Sequence, residues 1–459
     1  MGILKRLAMT VAATGVAGVA ATAGIIGSAG LQATPAEAAT TSVQLPISTY
    51  SHMLIDPTHH HIFFTGGSSS TSILVTDYSG NTVATIPNET GATGLALSSD
   101  GSTVYAALAG GDAISAISTS TLTETTRYAT GTEPVYVAYT SGMIWFGYGG
   151  ATQGGIGSVD PSTGAVTLNA TNDPANSWYA APILAASPDG TLAAGEPGQS
   201  PDQLATYNVS SGTATVLAPE IFDQSASNLE SMQITPDGSD LVTASGFPYY
   251  QQVYNVSDLS SDGEYPTTAY PNSVSIAADG TVAAGTDAGS NEVFVFAPGG
   301  STPLNTYDFG SSWLSPDGVA LTPDGTELFA ITATDPYGDS PTLNIIPGPE
   351  QAPSTLSLTG PATARHGQTI TLSGTLGGPS SDVGGQVLTV TRFDQAHPDG
   401  VTLHSVTTAT DGTFSFTDKV PTIRGRGTST VAYQVSYAGD AHLSPASATA
   451  SVTVGNAGS

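Results

Sequence analysis

The chain has 459 residues, with eight Lys and Arg against 37 Asp and Glu, no cysteine, 54 glycines and 30 prolines. A formal charge of −29 repels phosphate backbones and anionic membrane surfaces, which excludes a nucleic-acid binder, and the missing cysteine excludes disulfides, thiolate metal sites and thiol nucleophiles. With 39% hydrophobic residues and 18 tyrosines the chain is too apolar to be disordered, and its length allows two or three domains.

Lys5 and Arg6 precede an apolar stretch from Leu7 to Leu31, rich in Ala, Val and Gly, which ends in Pro35-Ala36-Glu37-Ala38-Ala39. The stretch approaches the ~20 residues that span a bilayer. Its small residues and the Ala36-x-Ala38 ending favour a signal peptide over residues 1–38, cleaved near Ala38. The expectation is a secreted, extracellular protein without an integral membrane anchor in its mature form.

From Ala39 to Gln351 there are 30 acids and a single base, Arg127; from Ala352 onward there are six acids and five bases. This shift in charge predicts two domains, residues 39–347 and 354–459, joined by a Pro- and Gly-rich linker at 348–353.

Turn signals recur through the first of these: Ser98-Ser99-Asp100-Gly101, Ser187-Pro188-Asp189-Gly190, Thr235-Pro236-Asp237-Gly238, Ala277-Ala278-Asp279-Gly280 and Thr322-Pro323-Asp324-Gly325. Their aspartates are 89, 48, 42 and 45 residues apart, a period of about 45 with one degenerate copy in the first gap. Pro presets φ, Asp bonds the backbone ahead of it, and Gly accepts positive φ where the hairpin closes. Alternating strands follow, such as Thr103-Val104-Tyr105-Ala106-Ala107-Leu108. Four short strands per repeat predict propeller blades, seven between Met53 and Pro347. The last repeat shows three strands, so Ser42–Ile47 is expected to supply the fourth and close the ring.

These repeats resemble the YVTN-type β-propeller family of secreted bacterial proteins, whose blades carry a Ser-Pro-Asp-Gly turn and a Tyr-Val-containing strand. The Tyr-Val-Thr-Asn tetrapeptide itself is absent; Val104-Tyr105-Ala106-Ala107 is the nearest piece. The resemblance implies a β-propeller, and relatives that include lactone hydrolases, lyases and proteins without known chemistry.

Residues 354–459 alternate Thr, Val, Leu and Ser between turns such as Asp399-Gly400 and Asp411-Gly412, as expected of a β-sandwich. The stretch Tyr433–Leu443 and the strand after it resemble bacterial Ig-like repeat domains, which implies a spacer or adhesive unit. The fold expected overall is all-β, a seven-bladed β-propeller followed by an Ig-like β-sandwich.

The repeat region holds four histidines, His52, His59, His60 and His61, the last three on a hairpin turn where they are either solvated or a weak metal site. Seven residues before each turn aspartate an inner strand begins, on the face opposite the Asp-Gly turns. The positions found are Thr93, Pro182, Glu230, Asn272 and Asp317, with His52 and Glu133 in the degenerate repeats. Glu133, Glu230, Asn272 and Asp317 are therefore expected at the channel mouth, where Glu230, Asn272 and Asp317 could ligate Ca²⁺ or stand as hydrated polar groups. Trp178, Tyr179, Tyr249, Tyr250, Trp313 and Tyr337 fall on loops of the same face, either as open platforms or packed over their own sheets. The acids Asp173, Glu196, Asp202, Asp223, Asp287 and Asp335 are expected to lend that face a negative field.

Two functions compete, beside a purely structural role in an extracellular matrix. One is an extracellular binding protein whose loop face engages a glycan or a surface protein. The other is a metal-assisted lactone or sugar hydrolase or lyase at the channel mouth, with Glu230 or Glu133 as base.

Overall fold

The computed structural model describes residues 40–150, 153–171, 178–335, 339–378, 382–422, 428–440 and 442–455. The signal-peptide reading, Tyr337 and Asp173 lie outside these residues.

Each of the five Asp-Gly signals of the repeats forms the turn expected of it, whereas Asp399-Gly400, expected as a turn, lies inside the strand His397–Thr407. In the turn after strand Ala92–Leu97, the Asp100 carboxylate accepts from the Ser98 hydroxyl at 2.7 Å and the Ser102 amide at 3.0 Å, and Gly101 has a φ of 70°. These bonds, the Ser98 hydroxyl first, hold the Asp100 carboxyl down to about 2. The chain reverses there because no larger residue adopts that φ cheaply.

Up-and-down strands joined by such turns make six four-stranded antiparallel sheets, with inner strands His52–Asp56, Ala92–Leu97, Pro134–Thr140, Ile183–Ala186, Ser227–Ile234 and Pro271–Ile276. The seventh sheet has Trp313–Leu321 innermost and takes its outer strand from the other end of the chain: Thr41–Gln44 pairs with Thr342–Pro347, in the register Val43 to Leu343. The expected ring closure is thus made by backbone hydrogen bonds.

Apolar burial completes the circle. Seven separate clusters each join two successive sheets; Trp145 packs with Leu184 and Tyr207, Tyr105 with Phe146, and Leu45, Phe64 and Phe329 join the last sheet to the first. Trp145, Tyr207, Phe64 and Phe329 are fully buried. Inner strands carry small residues because neighbouring sheets converge toward the axis: a Cβ on Gly94 would lie 2.8 Å from the Val135 carbonyl. Salt pairs contribute little, since Arg127 is the one base of the region and its Nε is bound to Glu124 at 2.5 Å.

The C-terminal residues form a three-stranded and a five-stranded sheet around one core that includes Leu372, Leu388, Phe414, Tyr433 and Val452. Tyr433 donates to Asp418 at 2.7 Å, and Arg392 bridges Asp394 and Asp418. The connecting segment is pinned on both sides. Asn305 donates to the carbonyls of Pro349 and Gln351, and Gln351 donates to the Asp440 carbonyl at 2.6 Å.

Candidate functional site

Because all seven inner strands run into their turns on one face, five of these turns being Asp-Gly, the loops between second and third strands and between sheets open together on the opposite face. The inner strands surround a channel of about 530 Å³. Its walls are mostly aliphatic, with residues such as Leu54, Leu95, Ile183 and Ile276, and its polar groups on the loop face include His52, Tyr136, Glu230 and Asp317.

Asp317 is placed by a bulge. Ser315-Pro316-Asp317-Gly318 repeats the tetrapeptide of the turn at Asp189, yet it lies inside an inner strand, where pairing jumps from Leu314 to Val319 and Asp317 takes a φ of 50°. A left-handed non-glycine residue in a bulge is held there by its surroundings. His52 Nδ1 meets Asp317 Oδ2 at 2.6 Å, the Ser231 hydroxyl donates to Oδ1 at 2.8 Å, and the Tyr50 hydroxyl donates to the Asp317 carbonyl at 2.7 Å. First, fifth and seventh sheets therefore meet on one carboxylate. The carboxylate fixes the Nδ1 edge of His52, so the Nε2 edge is the one left for other partners.

Glu230, beside Ser231, accepts from Asn228 at 2.5 Å. Burial, and secondarily the charge of Asp287, push its carboxyl up to about 7. Tyr136 is pushed up to about 12 by burial and then by Asp317, Glu196 and Glu230. The mouth thus combines a His–Asp pair with a carboxyl group that holds its proton toward neutral pH.

The structure corrects several expected roles. Asn272 is 2% exposed and turns its amide to the Leu314 carbonyl, away from the channel lining. Glu133 is exposed on the loop before Pro134–Thr140 and does not line the channel. Thr93 ties neighbouring sheets through the Val135 carbonyl, and Pro182 carries the carbonyl that Gly147 approaches. Of the three expected calcium ligands, Glu230 and Asp317 line the channel and Asn272 does not, with Ser231 and His52 on the two Asp317 oxygens and Asn228 on Glu230. Among the described residues no group of three His, Cys, Asp or Glu side chains could hold a metal ion. The His59–His61 turn is likewise no cluster of that kind: His59 is held by the buried Asp56 at 2.7 Å.

The aromatic residues also divide. Trp178 is 4% exposed and packs with Trp145 and Ile156, so it is a core residue and not a platform. Tyr250 is half-buried. Tyr179, Tyr249 and Trp313 are exposed, and three further rings that the sequence reading missed join them: Phe222, Phe247 and Tyr270. All six exposed Phe, Tyr and Trp side chains among the described residues lie on the loop face. Phe247 stands against Tyr249 at 5.8 Å and 80°, and Tyr249 against Tyr270 at 5.4 Å and 73°, which makes a corner of mutually perpendicular rings. Adjacency in sequence was the available signal, since Phe247 and Tyr249 flank Pro248 and Tyr270 precedes Pro271.

Several acids of this face are structural. Glu196 caps the amides of Tyr179 and Ala180 at 2.8 Å, Asp202 accepts from Ser245, and Asp223 accepts from Tyr254 at 2.6 Å. Asp287 is different. Its amide is tied to the Tyr270 carbonyl at 2.9 Å, while its buried Oδ1 has no hydrogen-bond donor, and burial followed by the charge of Glu292 pushes its carboxyl up to about 6.

No protein-family model and no curated protein matches the sequence. Among solved structures, the chain is similar to Kuenenia stuttgartiensis hydrazine synthase, with 16% identity over 63% of this chain and 94% of that one and a TM-score of 0.51. It is also similar to the Swd1 beta-propeller domain of Myceliophteria thermophila, with 11% identity over 66% of this chain and 99% of that one and a TM-score of 0.51. At such identities the likeness concerns the fold alone: over about two thirds of its length this chain is a β-propeller.

Proposed function

We propose that this is a secreted binding protein whose propeller engages an extracellular glycan through the loop face. In this reading residues 1–38 are a signal peptide, the ring has seven blades as in the YVTN-type family, and the C-terminal sandwich is an Ig-like spacer or adhesive unit. The observation that carries the binding role is the gathering of all six exposed aromatic rings among the described residues onto one face of a rigid ring. Separate aromatic platforms with polar loops between them suit sugar rings, which offer C–H faces to stack and hydroxyls to bond.

The test is retention of the purified protein on a panel of insoluble polysaccharides. Tyr249→Ala and Trp313→Ala should each weaken retention about fivefold, from a ring contact of about 1 kcal/mol, without moving the unfolding midpoint. Unchanged retention in both variants would overturn the proposal.

A second reading is favoured by the His52–Asp317 contact at 2.6 Å. An oriented imidazole and a carboxyl group that line one channel are an acid–base arrangement suited to small esters or lactones without a metal. Asp317→Asn and His52→Gln should then each abolish turnover of a responsive lactone; equal turnover in wild type and both variants would dismiss it.

A further inference from the structure

We infer that the glycan of the loop face is a cationic amino-sugar polymer, its ring faces stacking on Tyr249 and Tyr270 and its ammonium groups seated toward Asp287 and Glu230. The inference rests on the loop-face reading above and names the chemical class of its ligand.

Charge selects the class. The segment from Ala39 to Gln351 carries 30 acids and one base, and that base is committed elsewhere: Arg127 is bonded to Glu124 and to the Asn88 carbonyl, on the second sheet. Uronate, sialylated or phosphorylated glycans would meet this field unscreened at short range. Neutral glycans would leave it uncompensated.

Position narrows the site. Phe247, Tyr249 and Tyr270 are 50%, 47% and 54% exposed, and the backbone on two sides of their corner leads to an acidic residue. On one side Asn228, which holds Glu230, lies against Gly246, the residue before Phe247. On the other, Asp287 is bonded through its amide to the Tyr270 carbonyl. The charge of Asp287 raises the Glu230 carboxyl, and that of Glu292 raises Asp287; Glu292 is wholly buried, with Oε1 lacking a donor. Among the described residues none of these three acids of adjacent sheets is in an ion pair. An ammonium ion beside aromatic faces gains both the ring quadrupole and the carboxylate charge. A glucosamine unit brings a stackable ring and an ammonium in one residue, which matches the pairing of features here.

The experiment is calorimetry of the full chain with an oligomer of β-linked glucosamine, its fully N-acetylated counterpart, and spermine. The glucosamine oligomer should bind about tenfold more tightly than the acetylated one, with the difference shrinking at high salt. Asp287→Asn should weaken only the glucosamine oligomer, whereas Tyr249→Ala with Tyr270→Ala should weaken both oligomers. Equal affinity for the two oligomers, or no effect of Asp287→Asn, overturns the cationic class while a tyrosine effect still upholds the loop-face reading. Spermine binding as tightly as the glucosamine oligomer overturns the sugar component. Loss of every tyrosine effect sinks both readings.

Discussion

Replacing Glu230 by Gln should stabilise the propeller, and should do so only above acid pH. The Glu230 carboxyl is raised from its ordinary 4.5 to about 7, chiefly by burial. Below pH 4.5 the residue is protonated in folded and unfolded chains alike, and its full share of stability is present. Between pH 4.5 and 7 the unfolded chain has released the proton while the folded one keeps it, so stability falls as pH rises. At about 1.4 kcal/mol per pH unit the loss reaches a ceiling of about 3 kcal/mol by pH 8, reduced by whatever water still reaches the side chain. Glutamine retains an oxygen for the Asn228 amide and has no proton to lose. Wild type and Glu230→Gln should therefore unfold alike near pH 4 and diverge by about 2–3 kcal/mol at pH 8, the variant being the more stable. Urea denaturation followed by tryptophan fluorescence reads the propeller selectively, because Trp145, Trp178 and Trp313 all lie within it. A stability difference that does not vary with pH, or a less stable variant at pH 8, would refute the reasoning.

Trp178→Ala should destabilise the propeller by about 3–5 kcal/mol, since the ring is buried against Trp145, and a urea titration would expose the error if the midpoint stayed put. Leu45→Asp, which puts a charge where 3% of the side chain is exposed, should open the joint between the last sheet and the first; hydrogen exchange should then rise in Thr342–Pro347, and unaltered protection there would refute that role. Gly147→Ala should cost a few kcal/mol, because the new Cβ would lie 2.1 Å from the Pro182 carbonyl; a thermal scan showing a wild-type midpoint would contradict so close an approach of the two sheets.

The repeats were legible because a turn is a local event. Asp bonding the amide two residues ahead and Gly at positive φ need nothing from the rest of the chain, so Asp100, Asp189, Asp237, Asp279 and Asp324 mark the architecture directly. The missing strand of the last repeat was legible for a related reason: a ring of such sheets leaves an edge that Ser42–Ile47 alone could cover. Counting back from each turn also found His52, Glu230 and Asp317 in the channel lining.

The same count failed at Asn272 and Glu133, because a bulge near the start of an inner strand decides whether a side chain faces the channel, the neighbouring sheet or solvent. It could not foresee that Ser315-Pro316-Asp317-Gly318, a turn elsewhere, would be absorbed into a strand and aim Asp317 at His52, 265 residues away in sequence. Nor could aromatic content tell Trp178 from Tyr249, since one ring is covered by a neighbouring sheet and the other is not. Local hydrogen bonding and strand periodicity are written in consecutive residues, so the sequence by itself determined the all-β repeat and its closure. Which carboxylates meet a histidine, an aromatic corner or one another depends on chains brought together from distant repeats, and that the tertiary structure alone decided.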